Sequence, residues 1–156
     1  MNYSDKTLKP VMQQALKAFL LIVISTSTMA KDSSIETHET LKIVNGIMPA
    51  VPPVSRTAAV YLTLQNLSDE TIVLNTVETD IARHAMFHQT IENNGIAKMQ
   101  HRDDLVIPAK QSLKLVSGGI HIMLMGLKGI PSNNQFQLTL GNAERKYQVT
   151  VNIVDR

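Results

Sequence analysis

Along residues 57–66, TAAVYLTLQN, apolar and polar side chains alternate, so Val60, Leu62 and Leu64 fall on one face of a strand. Short strands of this kind are predicted over Leu41 to Ile47, Thr57 to Asn66, Thr71 to Val77, His84 to Ile91, Ile96 to His101, Leu113 to Val116, Ile120 to Leu127, Phe136 to Leu140 and Lys146 to Val154. Turn-forming clusters separate several of them: Asn66 to Glu70, Glu92-Asn93-Asn94-Gly95, Ser117-Gly118-Gly119 and Asn142 to Glu144. Met48 to Ser55 (MPAVPPVS) holds three prolines and is expected as a loop or an edge. After residue 30 no window of helical length shows a 3.6-residue apolar period. Many short strands at regular spacing predict a single all-β domain, an antiparallel sandwich or barrel.

The first 30 residues have a different pattern. Lys6, Lys9 and Lys17 form a basic region, Ala18 to Ile24 (AFLLIVI) a short apolar one, and Thr28-Met29-Ala30 a small-residue cleavage site. Together they read as a signal peptide over residues 1–30. An apolar run of about seven residues is far short of the roughly 20 needed to span a bilayer, so no stable membrane insertion is expected once the signal is removed. No cysteine follows the apolar run, so a lipid anchor at the cleavage site is not expected. Residues 31–40 read as a flexible lead-in and 41–156 as the folded domain. The signal takes three Lys and one Asp with it, leaving the rest of the chain formally neutral. With no basic patch, no nucleic-acid partner is expected.

Composition narrows the chemistry. The chain has no cysteine and eight methionines. Disulfides, thiolate zinc sites, thiol nucleophiles and the thiolate of a blue-copper site are thereby removed. Aromatic residues are 4% with no Trp, so the core must rest on Val, Ile, Leu and Met. There is no G-x-S-x-G elbow and no H-E-x-x-H pair. Asp103 and Asp104 are adjacent, so on a strand they would face opposite ways. No enzyme is expected.

Strand parity then groups the histidines and methionines. His84, Met86 and His88 share one face; Phe87, Gln89 and Ile91 share the other, which looks like the core side. The turn at Glu92–Gly95 folds the next strand back. A four-residue loop would set His88 opposite Met99. A two-residue Asn94-Gly95 turn would set His88 opposite His101, with Met99 on the diagonal. In both registers His88 and Met99 share a face, with Cβ atoms within roughly 5–8 Å. His121 and Met123 share a face of their own strand, while Ile122 and Leu124 point the other way. Gly118-Gly119 leave room for a close backbone approach or mark a bulge that re-aims His121. Two imidazoles and two thioethers suit Cu(I), whereas Mg, Ca and Mn prefer oxygen. Outside the cytoplasm a thioether also has the merit that it cannot be cross-linked by disulfide formation. Met86, His84, His101 and Met125 are secondary candidates, and His38 reads as a solvated residue.

The spacing His88, ten residues, Met99, twenty-one residues, His121, Ile122, Met123 resembles the signature of the PCuAC periplasmic copper chaperones. The flanks are also similar: Ala58-Ala59-Val60-Tyr61-Leu62 with Asn66, Gly95 before Lys98-Met99, Ile107-Pro108-Ala109, and Gly118 through Leu127 (GGIHIMLMGL). The likeness covers roughly residues 41–154. It implies a cupredoxin-like Greek-key sandwich and a periplasmic location. It further implies one Cu(I) held by His88, Met99, His121 and Met123. Delivery to a copper-accepting protein, such as the CuA-bearing subunit of cytochrome c oxidase, is implied too, from a monomeric carrier. Two other readings of the same residues are an exported structural or interaction sandwich with incidental Met and His, and a copper store or buffer.

Overall fold

The computed structural model describes residues 40–155, which lie in one compact unit. The expected signal peptide and most of the expected lead-in, His38 included, lie outside the described residues. Eleven strands follow in order: β1 (Leu41–Pro49), β2 (Thr57–Asn66), β3 (Ile72–Leu74), β4 (Thr76–Thr79), β5 (His84–Asn93), β6 (Ile96–Arg102), β7 (Leu105–Ile107), β8 (Ser112–Leu115), β9 (Ile120–Met125), β10 (Gln135–Gly141) and β11 (Lys146–Val154). The described residues are all β, and the fold is a cupredoxin-like β-sandwich.

The hydrogen-bonded path runs β4-β10-β11-β1-β2-β9-β5-β6, with β8 also on β2 and a separate β3–β7 pair. Strand β2 joins the two parts. Its first half pairs with β9 through Thr57 to Val60, and its second half with β8 through Leu62 to Gln65. The alternation in β2 is realised, with Val60, Leu62 and Leu64 buried. They meet Leu124, Ile122, Leu115, Leu138, Leu140 and Val151 in one apolar core. That core is built from aliphatic side chains, as the scarcity of aromatics requires.

The strands depart from the sequence expectation in four places. Pairing is antiparallel except between β1 and β11, which run parallel at Ile47↔Asn152, Met48↔Ile153 and Pro49↔Val154. Strand β1 therefore continues through Met48 and Pro49 instead of ending at Ile47. Met48 is fully buried, and a proline at the last strand position gives up little, because few ladder bonds remain there. The run Thr71 to Val77 is two strands, not one. It breaks at Asn75, whose N–H donates to the Gly141 carbonyl at 2.9 Å, and its halves join different partners, β7 and β10. Finally, β7 is a three-residue strand too short for alternation to reveal.

A candidate copper-binding face

The turn between β5 and β6 decides the first half of the site. Asn93 pairs with Ile96, leaving Asn94 and Gly95 as a two-residue turn. Both have positive φ, 52° and 74°, the geometry of a type I′ hairpin. This is the second of the two registers compatible with the sequence. His88 consequently stands opposite His101, and Thr90 opposite Met99. Met99 is a diagonal neighbour of His88, on the same face.

The second half comes from the pairing of β5 with β9, two strands joined by no short turn. His88 lies directly opposite His121, Met86 opposite Met123 and His84 opposite Met125. Directly opposed residues share a face, with Cβ atoms roughly 4.5–5.5 Å apart. The four expected ligands thus occupy one surface of the β9-β5-β6 strip. Phe87, Ile122 and Leu124 occupy the other and are buried. Gln89 and Ile91 share Phe87's face but not its burial: Ile91 is exposed and Gln89 half-buried, because β5 extends past the core. On the neighbouring strand β2, Ala59 is opposite Met123, a small residue beside the thioether.

The three imidazoles form a row across β9, β5 and β6. The rings of His88 and His121 are 6.1 Å apart and inclined by 22°, while those of His88 and His101 are 5.5 Å apart and edge-on. Burial falls along the row. His121 is 6% exposed, His88 is half-buried, and His101 is exposed at the sheet edge. Met99, also on edge strand β6, is 62% exposed. His101 Nε2 is 3.3 Å from a carboxylate oxygen of Asp103, which leaves Nδ1 of that ring free to act as a ligand.

Each buried imidazole has a distinct electronic setting. His121 Nδ1 is 3.1 Å from the Gly119 carbonyl. A carbonyl only accepts, so this bond puts the proton on Nδ1 and leaves the Nε2 lone pair free to act as a ligand. The same Gly119 oxygen accepts the Thr90 N–H at 3.1 Å, fixing β9 against β5. The Gly118-Gly119 segment makes this possible as a tight turn: Gly118 has φ 75°, and Gly119 N–H donates to Val116 O at 3.1 Å. Burial lowers the His88 pKa from its ordinary 6.5; the Met86 backbone opposes this, and the charges of His101 and His121 add to it. The opposing contact falls short of a hydrogen bond, for His88 Nδ1 is buried with no partner. A buried nitrogen without a partner costs about 1–3 kcal/mol, which fits a ring whose partner is an ion. Among the described residues, no group of three His, Asp or Glu side chains is placed to hold a metal. Met86, Met99 and Met123 are the further donors that this face offers beside the imidazoles.

Parity placed Met86 and His101 on this face but did not rank them. The structure sets them directly opposite Met123 and His88. The Gly119 carbonyl and the Asp103 carboxylate had no signal in the spacing, because each acts through a turn or a strand end.

Solved structures with this fold include a "Copper-bound PCuAC domain from PmoF2", at 18% identity and TM-score 0.62, covering 75% of this chain and 94% of that one. At 32% identity and TM-score 0.59, "CuI-DR1885 from Deinococcus Radiodurans" covers 80% of this chain and 84% of that one. Its apo form, "apo-DR1885 from Deinococcus radiodurans", is 33% identical with TM-score 0.57, covering 75% and 80%. A curated relative, "Putative lipoprotein Lxx21020" of Leifsonia xyli subsp. xyli (strain CTCB07), is 32% identical over 84 residues, 53% of this chain. The chain spans about half the length of that relative, 51%. A family profile described as "Putative lipoprotein LpqE-like" matches residues 41–154. The chain therefore belongs to the LpqE-like family, on a fold it shares with PCuAC domains.

Proposed function

We propose that this protein is an exported copper chaperone that carries one Cu(I) on the β9-β5-β6 face and passes it to a copper-accepting protein. The observation that carries this reading is the cross-strand register, with His88 opposite His121, Met123 in the adjacent row and Met99 on the diagonal. Imidazole and thioether donors at these positions suit a soft monovalent ion. The Cu(I)-bound relative at 32% identity supports the same cargo here. Export to the periplasm is supported by the signal-like residues 1–30 and by the lipoprotein description of the family. A CuA-bearing subunit of cytochrome c oxidase is the recipient the PCuAC likeness suggests.

The arrangement suits a carrier more than a permanent holder. His121 is buried and anchored, whereas Met99 is largely exposed on an edge strand. An accepting protein can reach the β6 side of the ion and displace Met99 while His88 and His121 still hold it. All four donors are neutral, so the ion's charge is left uncompensated and a partner offering a thiolate would draw it away.

The test is an anaerobic Cu(I) titration against a competing chromogenic chelator. The wild type is expected to take up one ion. His88→Ala and Met123→Ala are each expected to lose at least about 100-fold in affinity, the upper end of what removing even an outer-shell partner costs. Unchanged affinity in both variants would dismiss the reading. Transfer from the loaded protein to an apo copper-accepting domain separates a chaperone from a store.

A further inference from the structure

Two antiparallel rows on β5 and β9 form a compact block. His88 faces His121 in one row, and Met86 faces Met123 in the next. Residues two apart on a strand lie about 7 Å apart, and opposed ones roughly 5 Å, so the four side chains frame one small patch. Met99 lies outside this block. It sits one strand further out, opposite Thr90, on the side of His88 away from Met123. It is also 62% exposed, whereas Met86 and Met123 are both half-buried. Of the methionines on this face, Met86 is the one that directly opposes Met123 and lies next to His88 along the same strand.

We infer that Met86 is itself a copper ligand, closing a two-histidine, two-methionine set with His88, His121 and Met123 when Met99 is withdrawn. This deepens the chaperone reading and rests on it. With two thioethers in the inner block, the ion stays four-coordinate while Met99 swings away at the exposed edge. Met86 then holds the cargo during exchange, and Met99 is the ligand surrendered to the partner. Both have unbranched, flexible side chains whose sulfur can move between positions without disturbing the backbone. The opposite face of β5, at Phe87, belongs to the core, so Met86 is spared a packing duty there.

The experiment uses the chain without residues 1–30, loaded with Cu(I) under anaerobic reducing conditions, with bicinchoninate as the competing probe. Met86→Leu keeps nearly the same volume, so the fold should persist, checked by an unchanged thermal midpoint. It is expected to lower Cu(I) affinity about tenfold, and to speed copper loss to the chelator by a similar factor. Met99→Leu is expected to cost less affinity than Met86→Leu. X-ray absorption of the loaded Met99→Leu protein should still show two sulfurs around copper, and the Met86→Leu/Met99→Leu protein only one. An affinity unchanged in Met86→Leu, and a sulfur count unchanged when Met86→Leu is added to Met99→Leu, with Met123→Leu weakened, would overturn the inference while leaving the chaperone reading standing. If wild type, Met123→Leu and His88→Ala all bind alike, the chaperone reading itself has failed.

Discussion

Strands β5 and β9 have two faces that share a backbone and almost nothing else. One carries Phe87, Ile122 and Leu124, each at most 2% exposed and packed into the common core. The other carries Met86, His88, His121 and Met123, of which only His121 is fully buried. The period of two in a strand makes the separation possible: a single step along the chain moves from the fold's interior to the proposed copper face. On the proposed reading, stability and metal binding would therefore be housed in different residues of the same strands. The proposed ligands should be alterable with little harm to the fold, and the core residues between them should not.

The largest expected effect is on the core side. Phe87→Ala should destabilise the protein by about 3–5 kcal/mol and Ile122→Ala by about 2–5 kcal/mol, read from urea unfolding midpoints. His88→Ala, one residue from Phe87, should shift stability by about 1 kcal/mol or less, while abolishing tight Cu(I) binding. Equal losses of stability on both faces would collapse the distinction.

A smaller effect is expected at the turn that orients His121. Gly118 has φ 75°, so Gly118→Ala imposes a strained backbone costing about 1 kcal/mol. Because the turn carries the Gly119 carbonyl that holds His121 Nδ1, copper affinity should fall along with stability. A stability loss with unaltered affinity would show that the ring is positioned by something else.

The smallest effect is in the pH response. Burial lowers the His88 pKa below 6.5, so the folded protein resists protonating this ring more than the unfolded chain does. Between 6.5 and the lowered folded value the unfolded state binds more protons. Apo-protein stability should therefore be constant for this group above pH 6.5 and decline as pH falls below it. Cu(I) affinity should hold through pH 6.5 and fall only below it, as protons begin to compete at the lowered folded-state pKa of His88. His88→Gln should flatten this part of the stability profile. A wild-type profile that rises as pH drops from 7 to 6 would contradict the assignment.

The sequence was most informative where burial is one-sided. Alternation in residues 57–66 matched β2 residue for residue, and parity in β5 put Met86 and His88 on one face and Phe87 on the other. It was ambiguous where a turn sets the register: Glu92–Gly95 admits two loops, and only the positive φ of Asn94 and Gly95 selects between them. It failed where local pattern is weak. Strand β7 has three residues, the break at Asn75 depends on distant partners, and the parallel β1–β11 pairing joins the two ends of the domain. The adjacency of β5 and β9 belongs to the same class. Nothing in either segment names the other as its neighbour, yet that pairing sets His88 against His121.

X-ray absorption at the copper edge of the Cu(I)-loaded wild type tests the assembled face most directly. A mixed shell is expected, with imidazole nitrogen at about 2.0 Å and sulfur further out at about 2.3 Å, by analogy with the imidazole and thiolate distances around zinc. The nitrogen signal should weaken in His121→Ala and the sulfur signal in Met123→Leu. A shell of nitrogen and oxygen alone, or one that neither substitution changes, would mean that copper does not sit where β5 and β9 bring these side chains together.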